Sequence, residues 1–155
     1  DLFYSVKLLD KDIYQRIKTI KGKEWTEEFA SLVYDNVKKH KYFITNLGKC
    51  TQIDARPLPD SVYEKYLHLF EKEMEIINPK VIILFGNQVS SIVLNKKISV
   101  SQCRKQKFEK VINGKKYDCY SVFYPVGNGR FNINKSIEDI KYILDNISEE
   151  KYICS

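Results

Sequence analysis

The sequence predicts an α/β fold in which helices are layered on a central, mainly parallel sheet. Three observations carry that expectation. Segments with helical spacing of apolar residues alternate along the chain with short β-prone runs. Lys80 to Phe85 (KVIILF) is an apolar run without alternation, as suits a parallel strand covered on both faces. Gly86-Asn87 then turns the chain directly into another helical pattern.

In chain order, Ile13, Ile17 and Ile20 mark a helix within Asp10 to Ile20, which Gly22 ends. Thr26 is placed to cap a second helix, with Glu27 and Glu28 beside the positive end of its dipole. Its buried stripe is expected to be Phe29, Leu32, Val33 and Val37, and Lys38, Lys39, His40 and Lys41 close it. Tyr42 to Leu47 is short, β-prone and mostly apolar, and reads as a buried central strand. A loop from Gly48 to Pro59 carries Cys50, Asp54, Arg56 and Pro57.

Ser61-Val62-Tyr63-Glu64 reads as a capping box opening a third helix, with Val62, Tyr66, Leu69, Phe70 and Ile77 on its core face. Pro79 ends it, the KVIILF strand follows, and the next helix runs to about Leu94. Lys107 to Ile112 and Lys115 to Tyr124 flank Asn113-Gly114, a strong type I′ hairpin signal. Pro125 stops the strand, Gly127-Asn128-Gly129-Arg130 forms a turn, and Ile137, Ile140, Ile143, Leu144 and Ile147 mark a last helix.

The bulk numbers fit one domain spanning 1–155: 155 residues, 43% hydrophobic and 30% charged. No window approaches the ~18 apolar residues of a membrane span, and no signal peptide is expected at the N-terminus. The net charge of +6, from 26 Lys and Arg against 20 Asp and Glu, favours phosphate-bearing partners. Cys50, Cys103, Cys119 and Cys154 form no close pair, so reduced thiols in a cytoplasmic, monomeric protein are expected, with no cofactor and no metal site.

In parallel sheets ligands bind beyond the carboxyl ends of the strands. Three such ends carry polar groups or glycine: Thr45 to Lys49, Phe85 to Gln88, and Tyr124 to Arg130. Asn46 offers one acceptor and two donors to a nucleobase edge, and reads equally as an asparagine satisfying backbone groups at a turn. Gly86 and Asn87 open a helix whose amides suit a phosphate, although a packing glycine is the commoner explanation. Gly127, Asn128 and Arg130 fit a backbone-approaching turn beside DNA or an ordinary surface turn. Lys105, Lys107, Lys110, Lys115 and Lys116 surround the hairpin, where lysines more often simply face solvent.

These pieces resemble the uracil-DNA glycosylase superfamily, in particular its iron–sulfur-containing, family 4-like branch. YFITNLGKC at 42–50 looks like that branch's YITNxxKC segment, and NPKVIILFGNQVSSIVL at 78–94 is similar to its PKVIxxLGxxA segment. VFYPVGNGR at 122–130 takes the place of its HP-containing motif. The resemblance implies a three-layer sandwich and a DNA base-excision repair role: recognition of uracil or another damaged base and hydrolysis of its N-glycosidic bond. Asn46 takes the position of the base-reading asparagine, and Tyr124 that of the catalytic histidine. The loop through Gly127, Asn128 and Arg130 takes the place of the DNA-pinching segment.

The family's cluster cysteines are not reproduced. Cys50 matches one, but Tyr66 stands where the next is expected. Residues 1–10 are similar to a PFVGxxGxLLD segment, which makes Phe3 the base-stacking aromatic. On that reading the chain lacks the family's N-terminal strand and its GExPG-like first catalytic motif, so whether it is an enzyme depends on that motif. The alternative is a catalytically inactive nucleic-acid-binding relative of the same fold.

Overall fold

In the computed structural model the described residues are 1–50 and 58–153, the side chains of Asn128 and 148–153 excepted. Asp54, Arg56 and Pro57 of the predicted loop lie outside them. The elements run α1 (Leu2–Ser5), α2 (Lys11–Thr19), α3 (Glu27–Lys39), α4 (Asp60–Ile77), β1 (Val81–Phe85), α5 (Asn87–Leu94), β2 (Lys107–Ile112), β3 (Lys115–Val122) and α6 (Ile133–Ile153). Short 3-10 turns occupy Gly22–Glu24, Val100–Gln102 and Gly127–Asn132. The chain divides into two compact units, Asp1–Thr45 and Asn46–Ser155.

The first unit holds α1 to α3 around buried Leu2, Val6 and Phe29. Thr26 caps α3 as its position predicts, its Oγ1 accepting the Phe29 N–H at 3.3 Å. The buried stripe is turned from the expected one: Leu32 is exposed and Asn36 is buried. Asn36 is held there by a partner, its Oδ1 accepting the Asp10 N–H at 3.4 Å. Asp10 also meets Lys39 Nζ at 2.6 Å and His40 Nε2 at 2.9 Å, so the end of α3 is anchored to the start of α2. The Lys39 hydrogen bond, followed by that of His40, holds the Asp10 carboxyl below its ordinary value.

Tyr42 to Leu47 is not a strand, which corrects the sequence reading. Phe43 and Ile44 are exposed, and the described sheet contains only β1, β3 and β2. β-propensity reports fit to a pleated, half-buried surface, and a strand also needs a ladder for its backbone. No described strand supplies that ladder here. Leu47 alone of the segment is buried, within the core of the second unit.

The second unit is α/β. Its sheet has the order β1-β3-β2, with β1 parallel and β2 antiparallel to β3. It is therefore mixed, where the sequence suggests a mainly parallel one, because the Asn113-Gly114 turn returns the chain immediately beside itself. Both turn residues have positive φ, 46° and 78°, as a type I′ hairpin demands.

Helix α4 begins at Asp60 with Pro59 as its cap, so the predicted capping box at Ser61 is not used. Its buried side chains are Phe70 and Met74, with Tyr63 and Leu67 packed on the same core, while Leu69 and Ile77 face outward. That i, i+4, i+7, i+11 stripe meets Ile82 and Leu84 of β1, Ile92 and Val93 of α5, and Tyr117 and Cys119 of β3. Alternation along β3 turns Tyr120 and Val122 the other way. Helix α6 also packs on this strand, burying Ile140 and Ile143.

Burial pushes the Cys119 thiol up to about 12, with Asp118 adding to the effect. Only the thiolate reacts with alkylating agents. Exposed Cys50 is therefore expected to be modified by iodoacetamide in the native protein at pH 8, and Cys119 only after unfolding. Peptide mass spectrometry checks this, and equal labelling of both would contradict the burial of β3.

Candidate functional site

The parallel register sets the carboxyl ends of β1 and β3 side by side, with Phe85 opposite Val122. One step further, the Gly86 N–H donates to the Val122 carbonyl at 2.8 Å. Gly86 has φ of +87°, in the region that favours glycine, and this bend sends the chain from β1 straight into α5. A Cβ at Gly86 would lie 3.5 Å from the Tyr124 Cβ, an ordinary contact, so Gly86 and Tyr124 are neighbours on this rim.

The loop after β3 folds back on itself. Gly129 N–H donates to the Val126 carbonyl at 3.0 Å. A Cβ at Gly129 would fall 1.8 Å from the Tyr124 carbonyl oxygen. Glycine is therefore required by close approach of two backbone segments, which fixes the loop around Tyr124. The loop exposes Tyr124, Val126, Arg130 and Phe131, and the Arg130 guanidinium sits 5.1 Å from the centre of the Phe131 ring. On the α6 side, Ser136 Oγ lies 2.9 Å from the Phe123 carbonyl and 3.3 Å from that of Asn132, so it braces both ends of the loop.

The polar side chains after β1 have structural partners. Asn87 Oδ1 accepts the Val100 N–H at 2.9 Å, and Gln88 Nε2 donates to the Leu58 carbonyl at 2.9 Å and to Asp60 Oδ1 at 2.7 Å. Asn87 therefore uses its acceptor on the approach to β2 and keeps its amide donors.

Asn46 is exposed and immediately precedes the docked residues Leu47, Gly48 and Lys49. Lys49 Nζ contacts both carboxylate oxygens of Glu73, at 2.7 and 2.8 Å. A Cβ at Gly48 would stand 3.0 Å from the Tyr63 ring. These contacts fix the chain beside Asn46 on α4, doing what strand pairing was expected to do. Cys50 follows, and a hydrogen bond with its side chain holds the Tyr66 phenol above its ordinary pKa.

The structure thus brings Gly86, Asn87, Tyr124, Gly127 and Arg130 to one end of the sheet and puts Asn46 in the same unit. Phe3 belongs to the first unit, where its ring stacks on Tyr42 at 5.3 Å and 10°. The Asn128 side chain lies outside the described part.

An ion-paired group behind the loop escaped sequence reasoning. Asp139 of α6 is fully buried and accepts from Arg104 Nε at 3.1 and 3.0 Å and Nη2 at 2.9 Å. Arg104 also reaches Glu138, which Lys105 contacts as well. The available signal was spacing: Ser136, Asp139, Ile140 and Ile143 share one helical face, so an aspartate sits in an apolar stripe.

Among the described residues no group of three His, Cys, Asp or Glu side chains is arranged to hold a metal ion, and no helix is long and apolar enough to cross a membrane. A family model described as the uracil DNA glycosylase superfamily matches residues 6–144, a span that includes Asn46, Gly86 and the loop from Tyr124 to Arg130. No curated protein matches the chain.

Proposed function

Because the chain belongs to the uracil DNA glycosylase superfamily, we propose that it is a glycosylase-like DNA-repair protein that binds a flipped uracil, or a related damaged base, at the β1–β3 rim. The observation that carries this is the packing of Gly129 under the Tyr124 carbonyl, next to Gly86. Gly129 lets the loop close tightly under Tyr124, which presents an exposed phenol at the strand end with the exposed Arg130 in the same loop. The family match also runs across the boundary between the two units, which supports reading them as one domain.

A base must leave the stack before its glycosidic bond is accessible. In this reading Asn46 hydrogen-bonds the extruded base, and Arg130 holds a neighbouring phosphate. Water adds across the C1′–N1 bond: its hydroxyl goes to the sugar carbon and its proton neutralises the departing base. Tyr124 donates a hydrogen bond to that base as negative charge develops on it. Iron–sulfur chemistry plays no part in this reading, since Cys50 faces Tyr66 where a second thiolate ligand would be needed.

Uracil release from single- and double-stranded oligonucleotides tests the proposal. Asn46→Ala is expected to lower kcat/KM about a hundredfold, the usual scale for removing a positioned hydrogen-bond group. Tyr124→Phe is expected to lower kcat with little change in KM. Unchanged release in Asn46→Ala would remove that residue from base reading.

Tyr124 also favours a second reading, a DNA-binding relative without cleavage. A phenol donates a hydrogen bond but supplies no cation near neutral pH. Salt-dependent DNA binding with no base released is the result that selects it.

A further inference from the structure

The first unit contains an aromatic and basic surface that the base-reading proposal does not use. Residues 16–23 read RIKTIKGK, with Arg16, Lys18, Lys21 and Lys23 and no acidic side chain among them. Trp25, the sole tryptophan, follows closely and is 46% exposed. Its position is built rather than accidental. The indole packs at a tilt on Phe29, with ring centres 5.0 Å apart, and Phe29 is itself fully buried. Arg16 lies over the same Phe29 ring at 4.2 Å. A rigid base thus supports an indole, with cations on the adjoining helix end and 3-10 turn.

The bland account is that these cations only complement the end of α2, where Arg16 and Lys18 occupy the last turn. Lys18 does have a local partner, Asp1 at 3.2 Å. That account covers neither Lys21 and Lys23, which lie beyond the helix, nor the half-exposed indole. The carboxylates nearest in sequence, Glu24, Glu27 and Glu28, are outnumbered by Arg16, Lys18, Lys21 and Lys23, and Glu24 accepts the Lys21 N–H at 2.7 Å. A lipid surface fits less well. Interfacial helices present a broad apolar face, whereas Ile13, Ile17 and Ile20 of this segment are half-buried, so the patch offers one ring among cations. Duplex DNA keeps its base faces stacked. An unpaired strand presents both a phosphate chain and bare bases, and base–indole stacking tolerates any sequence.

We propose that Trp25, with Arg16, Lys21 and Lys23, forms a second DNA contact surface that takes single-stranded DNA by stacking a base on the indole. The choice of DNA as partner rests on the function proposed above, and the surface uses none of the residues named at the β1–β3 rim.

Titration of the chain with a thymidine oligonucleotide, exciting Trp25 selectively, tests the idea. Saturable quenching that high salt reverses is expected. Lys21→Gln with Lys23→Gln should weaken binding about tenfold and reduce the salt slope by about 1.4, as when two phosphates of a single strand are no longer neutralised. Trp25→Leu should weaken it about fivefold, the low end for one stacked base. Both lysines are exposed, so the double variant is expected to melt like the parent. Binding seen by anisotropy without any change in Trp25 emission overturns the proposal. So does full affinity in the lysine variant, or quenching by phosphatidylserine vesicles but not by the oligonucleotide. Arg130→Ala separates the two readings. Quenching that persists in this variant upholds the Trp25 surface, and a parent protein that is quenched by the oligonucleotide but releases no uracil removes the catalytic reading alone.

Discussion

Arg104→Ala is expected to lower the unfolding free energy by about 3–5 kcal/mol, the usual scale for stripping the partner from a buried charge. Asp139 has no exposed surface, and Arg104 contacts both of its oxygens within 3.1 Å. Without the guanidinium the buried carboxylate loses its charge-assisted hydrogen bonds, and burying a charge without them is costly. Arg104→Met combined with Asp139→Leu should recover much of the loss, because an apolar pair removes the stranded charge together with its partner. Urea unfolding measures both, and a loss under about 1 kcal/mol for Arg104→Ala would deny the pair its role. Neighbouring Glu138 adds a pH signature. Lys105, and then Arg104, hold its carboxyl down at about 2 from an ordinary 4.5. A depressed carboxylate stabilises the folded state above its unfolded value, and the contribution fades as pH falls from 4.5 towards 2. Glu138→Gln should therefore flatten that part of the melting temperature against pH profile.

The same region shows what a sequence discloses. The Asn113-Gly114 hairpin and the β1-Gly86-α5 turn were legible because their determinants are local: positive φ at named residues and an apolar run that ends at a glycine. Tyr42 to Leu47 has equally good β composition, yet a strand depends on a partner that composition does not name. Helix α4 was found, but its buried stripe was turned, since Met74 faces in and Ile77 out according to what β1 and β3 present. The clustering of Gly86 and Tyr124 could be anticipated from two strand ends, given parallel pairing. The spacing on α6 marks Asp139 as inward-facing, but its pairing with Arg104 could not be anticipated, because the two lie 35 residues apart. Nor could the role of Gly129, which is defined by the oxygen it passes.

Gly129→Ala is expected to reduce uracil release, or DNA affinity where no base is cleaved, about a hundredfold, as displacement of a positioned group by ~1 Å commonly does. The added methyl would meet the Tyr124 carbonyl oxygen at 1.8 Å, so one of the two backbone segments must move. The Gly129 backbone is not in the left-handed region, so the penalty is steric rather than conformational. Gly127 supplies the opposite control in the same loop: its φ is +58° but nothing lies within 4 Å of a Cβ there. Gly127→Ala should therefore cost about 1 kcal/mol of local strain while leaving Tyr124 in place. Gly86→Ala is strained in the same way at φ +87°, with only an ordinary contact to the Tyr124 side chain. The Gly129 variant is thus expected to lose the most function of the three while melting close to the parent, because the exposed loop contributes little core. If Gly127→Ala proves as damaging as Gly129→Ala, the loop acts through its flexibility, and the fixed position of Tyr124 beside Gly86 is not what the site depends on.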